Sequence, residues 1–581
     1  MNGQRYRWKN KQIRDHVAVL NGDKSPTLLL KNARYLHSVL KKWLTGNIWV
    51  YEDRIVYVGE NLPETMNGCE IVDCAGSTLV PGYIEPHVHP FQLYNPQSFT
   101  QYASQTGTTT FINDNLMLVL LGGKLKAFSL LDELKKLPVT MYWWCRFDSQ
   151  TELLDEEAVF SNGEVRAWME RDDVVQGGEL TAWPRLLAGD DLMLHWIQEM
   201  KKLNKKIEGH FPGASEKTLA KMTLLGADCD HEAMTGKEVL SRLMQGMMVS
   251  LRHSSIRPDL PVLLKEMKEM GIDQYESMMF NTDGSTPGFY EDGVLDNTIK
   301  MAIASGIPPV DAYQMASYNV AKYYHFEHLH GMIAAGRIAN INFLEDEFNP
   351  LPHSILSKGT WIKRDGREVM RDDASINWEE HGLSPMKIDW DLEMEDLQFS
   401  MPFGIEMIND VITKPYSVTL DASGESLPMD HDESFLMLLD RNGKWRINTL
   451  VKGFANRVSG FASSFSNTGD ILLIGKNKKD MMLAFNRMKE LGGAIVLAEE
   501  DQIVHEVPLK LAGAMSDKRM EELIEEEKGL KRELKERGYR FGDPVYSLLF
   551  FSSTHLPYLR ITQKGMYDVM KKTVLFPTIM R

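Results

Sequence analysis

Residues 80–90 read VPGYIEPHVHP, an apolar run that passes into two histidines separated by one residue. Side chains two apart on a strand point to the same side, so His87 and His89 would leave the strand tip aimed at one target. Paired imidazoles converging from a strand end suggest a metal ion. Pro86 and Pro90 also permit a turn carrying two surface histidines, so the rest of the chain has to decide.

Downstream of this stretch, short apolar strands alternate with helices. The strands are VPGYIEPHVH, TTTFIND, VTMYWWCRF, VVQGGEL, KIEGHF, ADCDHEAM, MVSLRHS and MMFNTD; the helical stretches between them include KLKAFSLLDELKKL, DDLMLHWIQEMKKL, SEKTLAKMTLLG and GKEVLSRLMQG. Eight such strands predict an α/β fold built on a (β/α)8 TIM-like barrel over residues 81–330. A doubly wound open sheet is the rival, but no GxGxxG turn follows the first strand.

Segments on both sides of the barrel are β-rich. TLLLKNARYL, GNIWVYEDRIVYVGE and CEIVDCAGSTLV precede it, and HGMIAAGRIANINFLED and SKGTWIKRDGREV follow it. They predict a composite β-sandwich from residues 1–80 and 331–375. From about 385 to 581 the rhythm changes to strands mixed with one or two amphipathic helices, which predicts a separate α+β domain. MEELIEEEKGLKRELKERG (520–538) is so heavily charged that it reads as a solvated helix.

A chain of 581 residues is too long for one core and suits two to four domains. The formal net charge of -16 argues against nucleic acid, whose phosphates need an excess of Lys and Arg. No stretch approaches the roughly 20 apolar residues of a membrane span, and the N-terminus lacks a signal-peptide core. Cys69, Cys74, Cys145 and Cys229 show no CxxC spacing, as expected of reduced thiols in the cytoplasm. The expected partner is a small molecule, with neither nucleic acid nor membrane.

Active sites of such barrels lie at the C-terminal strand ends. The first strand ends in His87 and His89, the fourth in Glu179, the fifth in His210, the sixth in His231 and the eighth in Asp283. Singly, each could be a loop or capping residue; together they make a metal-ligand set. His195, His325 and His330 lie in helical or loop contexts and are read as structural or surface residues. Four histidines and two carboxylates suffice for two ions that share a bridging carboxylate and water. Ligands of this type suit manganese, iron(II), zinc or cobalt, and an acidified bound water makes hydrolysis the natural reaction class.

These residues resemble the amidohydrolase superfamily, and within it the adenine deaminases, in a subgroup found in bacilli. The resemblance runs through PGYIEPHVH, GTTTFIND, EGHFPGAS, GADCDHEAMTGKEVL and NTDGSTP to VKGFANRVSGFASSFSNTGDILLIGKNKKDMMLAFNRMKELGGAIVLAEE and LPYLRITQKG in the C-terminal part. It implies that His87, His89, Glu179, His210, His231 and Asp283 hold two divalent ions, manganese first and iron(II) or zinc as alternatives. Many relatives bridge the metals with a carboxylated lysine; VVQGGELTAW offers Glu179 and no lysine, as adenine deaminases do. The chain departs from the family at HVHPFQLYNP, where HxHIESS is usual, and at Gly284, where a second aspartate is common.

The resemblance implies hydrolytic deamination of an aminopurine, foremost adenine to hypoxanthine and ammonia in purine salvage. Asp283 would accept the proton of the attacking water and Glu232 would protonate a ring nitrogen, unless Glu232 merely caps the helix that begins TGKEVL. Arg252, His253 and Ser254 would touch the substrate. A homo-oligomer, as a dimer, is expected. Two other readings stand beside this one: an amidohydrolase acting on another amino-heterocycle or cyclic amide, and a non-catalytic metal-binding homologue.

Overall fold

The computed structural model describes residues 8–369, 376–429 and 431–581. Residues 1–7 and 370–375, the outer ends of the expected composite sheet domain, lie outside the described residues. All eight barrel strands form: β1 (Tyr83–Val88), β2 (Thr108–Asn113), β3 (Thr140–Cys145), β4 (Val174–Leu180), β5 (Lys206–Gly209), β6 (Cys229–Asp230), β7 (Met248–Arg252) and β8 (Met278–Asn281). They pair in sequence order, and a parallel bridge between Val88 and Asp283 links the last to the first. Covered by helices on the outside and filled with side chains within, β1, β2 and β4 are buried at every residue, which is why they read as continuous apolar runs.

Local chemistry sets where the connecting helices begin. Ser215 caps Glu216–Leu224 by accepting from the Thr218 N–H. Thr235 and Glu238 form a reciprocal capping box at the start of Gly236–Met244. The cap of that helix is therefore Thr235, which leaves Glu232 free of the capping role that its position allowed.

The segments flanking the barrel in sequence join in one nine-stranded sheet. Its seam is the antiparallel pairing of Thr78–Pro81 with Ile341–Leu344, where Val80 faces Asn342. The C-terminal part is built on a second nine-stranded sheet, which includes Glu433–Leu439, Trp445–Lys452 and Ile471–Gly475, and on a three-stranded sheet from Leu559 to Pro577.

The charged segment expected to be a solvated helix is instead docked. It forms helix α1 (Met520–Glu536), which buries Met520, Leu523, Ile524, Leu530 and Leu534 along one stripe. Apolar residues spaced three, four and seven apart lie on one helix face, and the many charges between them occupy the other. Glu527 is buried with the stripe and accepts from the Gly288 N–H at 2.6 Å, just beyond β8. Helix α2 (Pro544–Phe550) follows, capped by Asp543, whose carboxylate also accepts from Thr286 Oγ1 at 2.6 Å. A single apolar core runs from Phe99 and Leu130 of the barrel region to Met515 and Leu523 of the C-terminal part. Among the described residues no helix is long and apolar enough to cross a membrane.

Candidate metal centre

Five of the eight strand ends bring His87, His89, Glu179, His210, His231 and Asp283 into one cluster. Three donor groups have ligand atoms within 4.8 Å of one another: His87, His89 and Glu179; Glu179, His210 and His231; and His87, Glu208 and His231. Glu179 belongs to the first two. Its Oε1 lies 2.5 Å from His210 Nδ1 and 3.2 Å from His231 Nε2, while its Oε2 lies 3.8 Å from His89 Nε2. Asp283 Oδ1 closes the other side, 2.9 Å from His89 Nε2 and 3.6 Å from His87 Nε2.

Three buried residues absent from the predicted ligand set orient these imidazoles. Asp114, directly after β2, lies 2.7 Å from His89 Nδ1, which leaves Nε2 for the cluster. Glu208 on β5 lies 3.1 Å from His231 Nδ1 and 3.6 Å from His87 Nδ1. Arg146 sits fully buried between carboxylates, donating to Asp114 through Nε and Nη2 at 2.8 Å each and to Glu179 Oε2 at 2.9 Å. A signal for Glu208 was available in KIEGHF, since a residue two before His210 on a strand shares its side. Asp114 is the last residue of TTTFIND. Arg146 had no comparable sign, because its partners come from two other strands.

Charge in the pocket is arranged for a cation. Burial alone would push the carboxyls up, yet Glu208 is brought down to about 2 by its hydrogen bond with His231 and by the nearby His87 ring. Burial likewise opposes ionisation of Glu179 and Asp283, but His210 and Arg146 at the first, and Arg252, His87 and His89 at the second, hold both well below the usual carboxylate range. Burial would drive the proton off His89, but Asp114 and Asp283 outweigh it and raise His89 to about 9. A field that favours a proton on these nitrogens equally favours a metal cation in its place. Both nitrogens of His87 and Glu208 Oε2 are buried with no hydrogen-bond partner, which fits the loss of contacts that a metal ion would restore.

The other predicted residues divide. Arg252 Nη1 bridges Glu232 Oε1 at 2.5 Å and Asp283 Oδ2 at 2.6 Å. Arg257, which carried no signal in the sequence, also donates to Glu232. Burial raises the Glu232 carboxyl, but Arg252, His210 and Arg257 overcome it and bring it down to about 2. His253 packs on Phe289 with ring centroids 5.2 Å apart, and the Ser254 N–H donates to the Arg257 carbonyl. The cavity of about 810 Å³ that opens onto His210 is lined instead by residues such as Gln150, Trp183, Thr554, His555 and Tyr567; Arg252, His253 and Ser254 are not among its walls. Of the histidines read as structural, His330 is buried beneath the barrel with its Nε2 3.1 Å from the Tyr142 hydroxyl.

Comparison with known proteins bears on this geometry. The model of the amidohydrolase family matches residues 78–365, and that of the adenine deaminase C-terminal domain matches residues 410–573. A Halalkalibacterium halodurans protein named "Putative adenine deaminase BH0637" is 58% identical over 100% of both chains. A Bacillus subtilis protein named "Putative adenine deaminase YerA" is 55% identical, also over 100% of both. Among solved structures, a β-aspartyl dipeptidase from Fervidobacterium islandicum AW-1 covers 60% of this chain and 100% of its own, at 16% identity and a TM-score of 0.45.

Proposed function

From the premise that the chain belongs to the amidohydrolase family, in the line that carries an adenine deaminase C-terminal domain, we propose that it removes the exocyclic amino group of an aminopurine. Adenine is the first candidate: adenine and water give hypoxanthine and ammonia, a purine-salvage reaction assigned here to the cytoplasm. The observation that carries this reading is the sharing of Glu179 between two donor groups, which supports two divalent ions, manganese foremost. His87, His89 and Asp283 would hold one, His210 and His231 the other, with Glu179 common to both. Bound divalent metal supplies an acidified water as nucleophile at neutral pH.

The chain's own residues manage orientation and protons. Asp114 and Glu208 present Nε2 of His89 and His231 to the cluster. Asp283, ionised and anchored to Arg252 through Oδ2, keeps Oδ1 toward the histidines, where it can take the water's proton and return it to the departing amine. Glu232 is better suited to anchoring than to acid catalysis. To protonate a ring nitrogen it must first hold a proton, and Arg252 and Arg257 oppose that.

The test is ammonia release from the manganese-loaded protein across purines, pyrimidines and pterins, together with metal analysis. Release from adenine with about two ions per chain is expected. Ring opening of a cyclic amide without ammonia would assign the other amidohydrolase chemistry. Glu179→Ala should lose at least one ion; retention of both would move the bridge elsewhere.

A further inference from the structure

The cavity that reaches the cluster at His210 has one wall from the barrel and one from the C-terminal part. Gln150, Trp183 and Pro212 follow β3, β4 and β5, whereas Thr554, His555 and Tyr567 arrive from more than three hundred residues downstream. His555 is a C-terminal residue placed beside the cluster. Its ring stands edge-on to His210, with centroids 5.6 Å apart and planes at 89°. Its Nδ1 is sealed from solvent and has no hydrogen-bond partner.

The turn that carries His555 is held on three sides. The Thr554 N–H donates to the Gln150 carbonyl at 2.8 Å, and Thr151 Oγ1 donates to the Ser552 carbonyl at 2.6 Å, which stitches the turn to the barrel loop after β3. Behind it, fully buried Arg560 donates to the Phe550 carbonyl at 2.9 Å and to the Pro557 carbonyl at 3.1 Å, bracing the turn before and after His555. Phe550, 6.0 Å from the His555 ring, and Tyr546 stacked on it continue an aromatic surface along α2. A polar ring fixed this firmly, lining the cavity beside a metal-ligand candidate, is what recognition of a planar polar heterocycle requires.

We propose that His555 is a substrate-contacting residue that hydrogen-bonds the amino-heterocycle, so that the C-terminal part completes the substrate site of the barrel. This rests on the deaminase reading above. The experiment compares the manganese-loaded full-length protein with His555→Ala, His555→Phe and His555→Gln, using adenine or whichever amino-heterocycle yields ammonia. Alanine and phenylalanine should each raise KM about tenfold, the scale of one hydrogen bond, with kcat changed less and metal content equal to the parent. Glutamine, which restores a polar group, should recover part of the loss. A phenylalanine variant with parental KM overturns the proposal, since the ring alone would then suffice. Metal loss in the variants together with a fall in kcat at unchanged KM also overturns it, because His555 would then serve His210 and not the substrate. If the parent releases ammonia from no compound tested, the deaminase reading falls and this proposal falls with it.

Discussion

Buried carboxyls at the barrel mouth and Asp470 in the C-terminal part behave in opposite ways. Glu179, Glu208, Glu232 and Asp283 are all held below the usual carboxylate range. Asp470 in the C-terminal part is raised to about 6, because burial outweighs its hydrogen bonds from Thr468 and Gln563. Glu85, deeper in the barrel, is raised to about 8 by burial, against a hydrogen bond from Thr282. Burial is common to all of them; what differs is the density of cationic partners, since Arg146, Arg252, Arg257 and four histidines converge only at the mouth. Low dielectric amplifies whichever partner is present, so the same burial keeps one carboxyl ionised and leaves another, Glu85, neutral at pH 7.

The most drastic way to break this contrast is to remove one of the regions. Truncation near residue 385 exposes the core shared by Phe99, Met515 and Leu523 and frees the loop after β8 from Glu527 and Asp543. The expected outcome is an insoluble or unfolded barrel, measured by expression and circular dichroism; a soluble, fully active barrel would show the two regions to be independent. Next in size, Asp283→Asn keeps the shape and removes the proton acceptor, so turnover should fall by about 10²-fold or more while most metal stays bound. Near-normal turnover would dismiss Asp283 as the base.

Smaller effects probe the supporting groups. Glu208→Gln leaves the ligand atoms in place but removes the charge behind His231 and His87, and metal affinity should drop by about 10-fold to 100-fold. An unchanged affinity in a chelator titration would reduce Glu208 to packing. The smallest effect belongs to Asp470. Its folded-state affinity for a proton exceeds that of the unfolded chain, so its contribution is fully present at low pH and is lost as pH rises from about 3.8 through about 6. Asp470→Asn should flatten that part of the plot of Tm against pH, and an unaltered slope would refute the assignment.

Local pattern alone makes much of the molecule legible. A strand is a local object with a period of two, so VPGYIEPHVH declares both its burial and the direction of His87 and His89, and the polar residue near the end of each later strand can be read in the same way. The resemblance to adenine deaminases adds roles to those positions. Three things depend on residues distant in sequence. Asp114, Arg146 and Glu208 orient candidate ligands from neighbouring strands, α1 hides a buried stripe and Glu527 among its charges, and His555 reaches the cavity only because Arg560 and the loop after β3 hold its turn there. Periodicity reports which face of an element is buried and not what lies opposite. The candidate ligands are therefore legible in the chain's own pattern, while their ionisation and the wall of the cavity are decided by which charges and rings the tertiary fold sets against them.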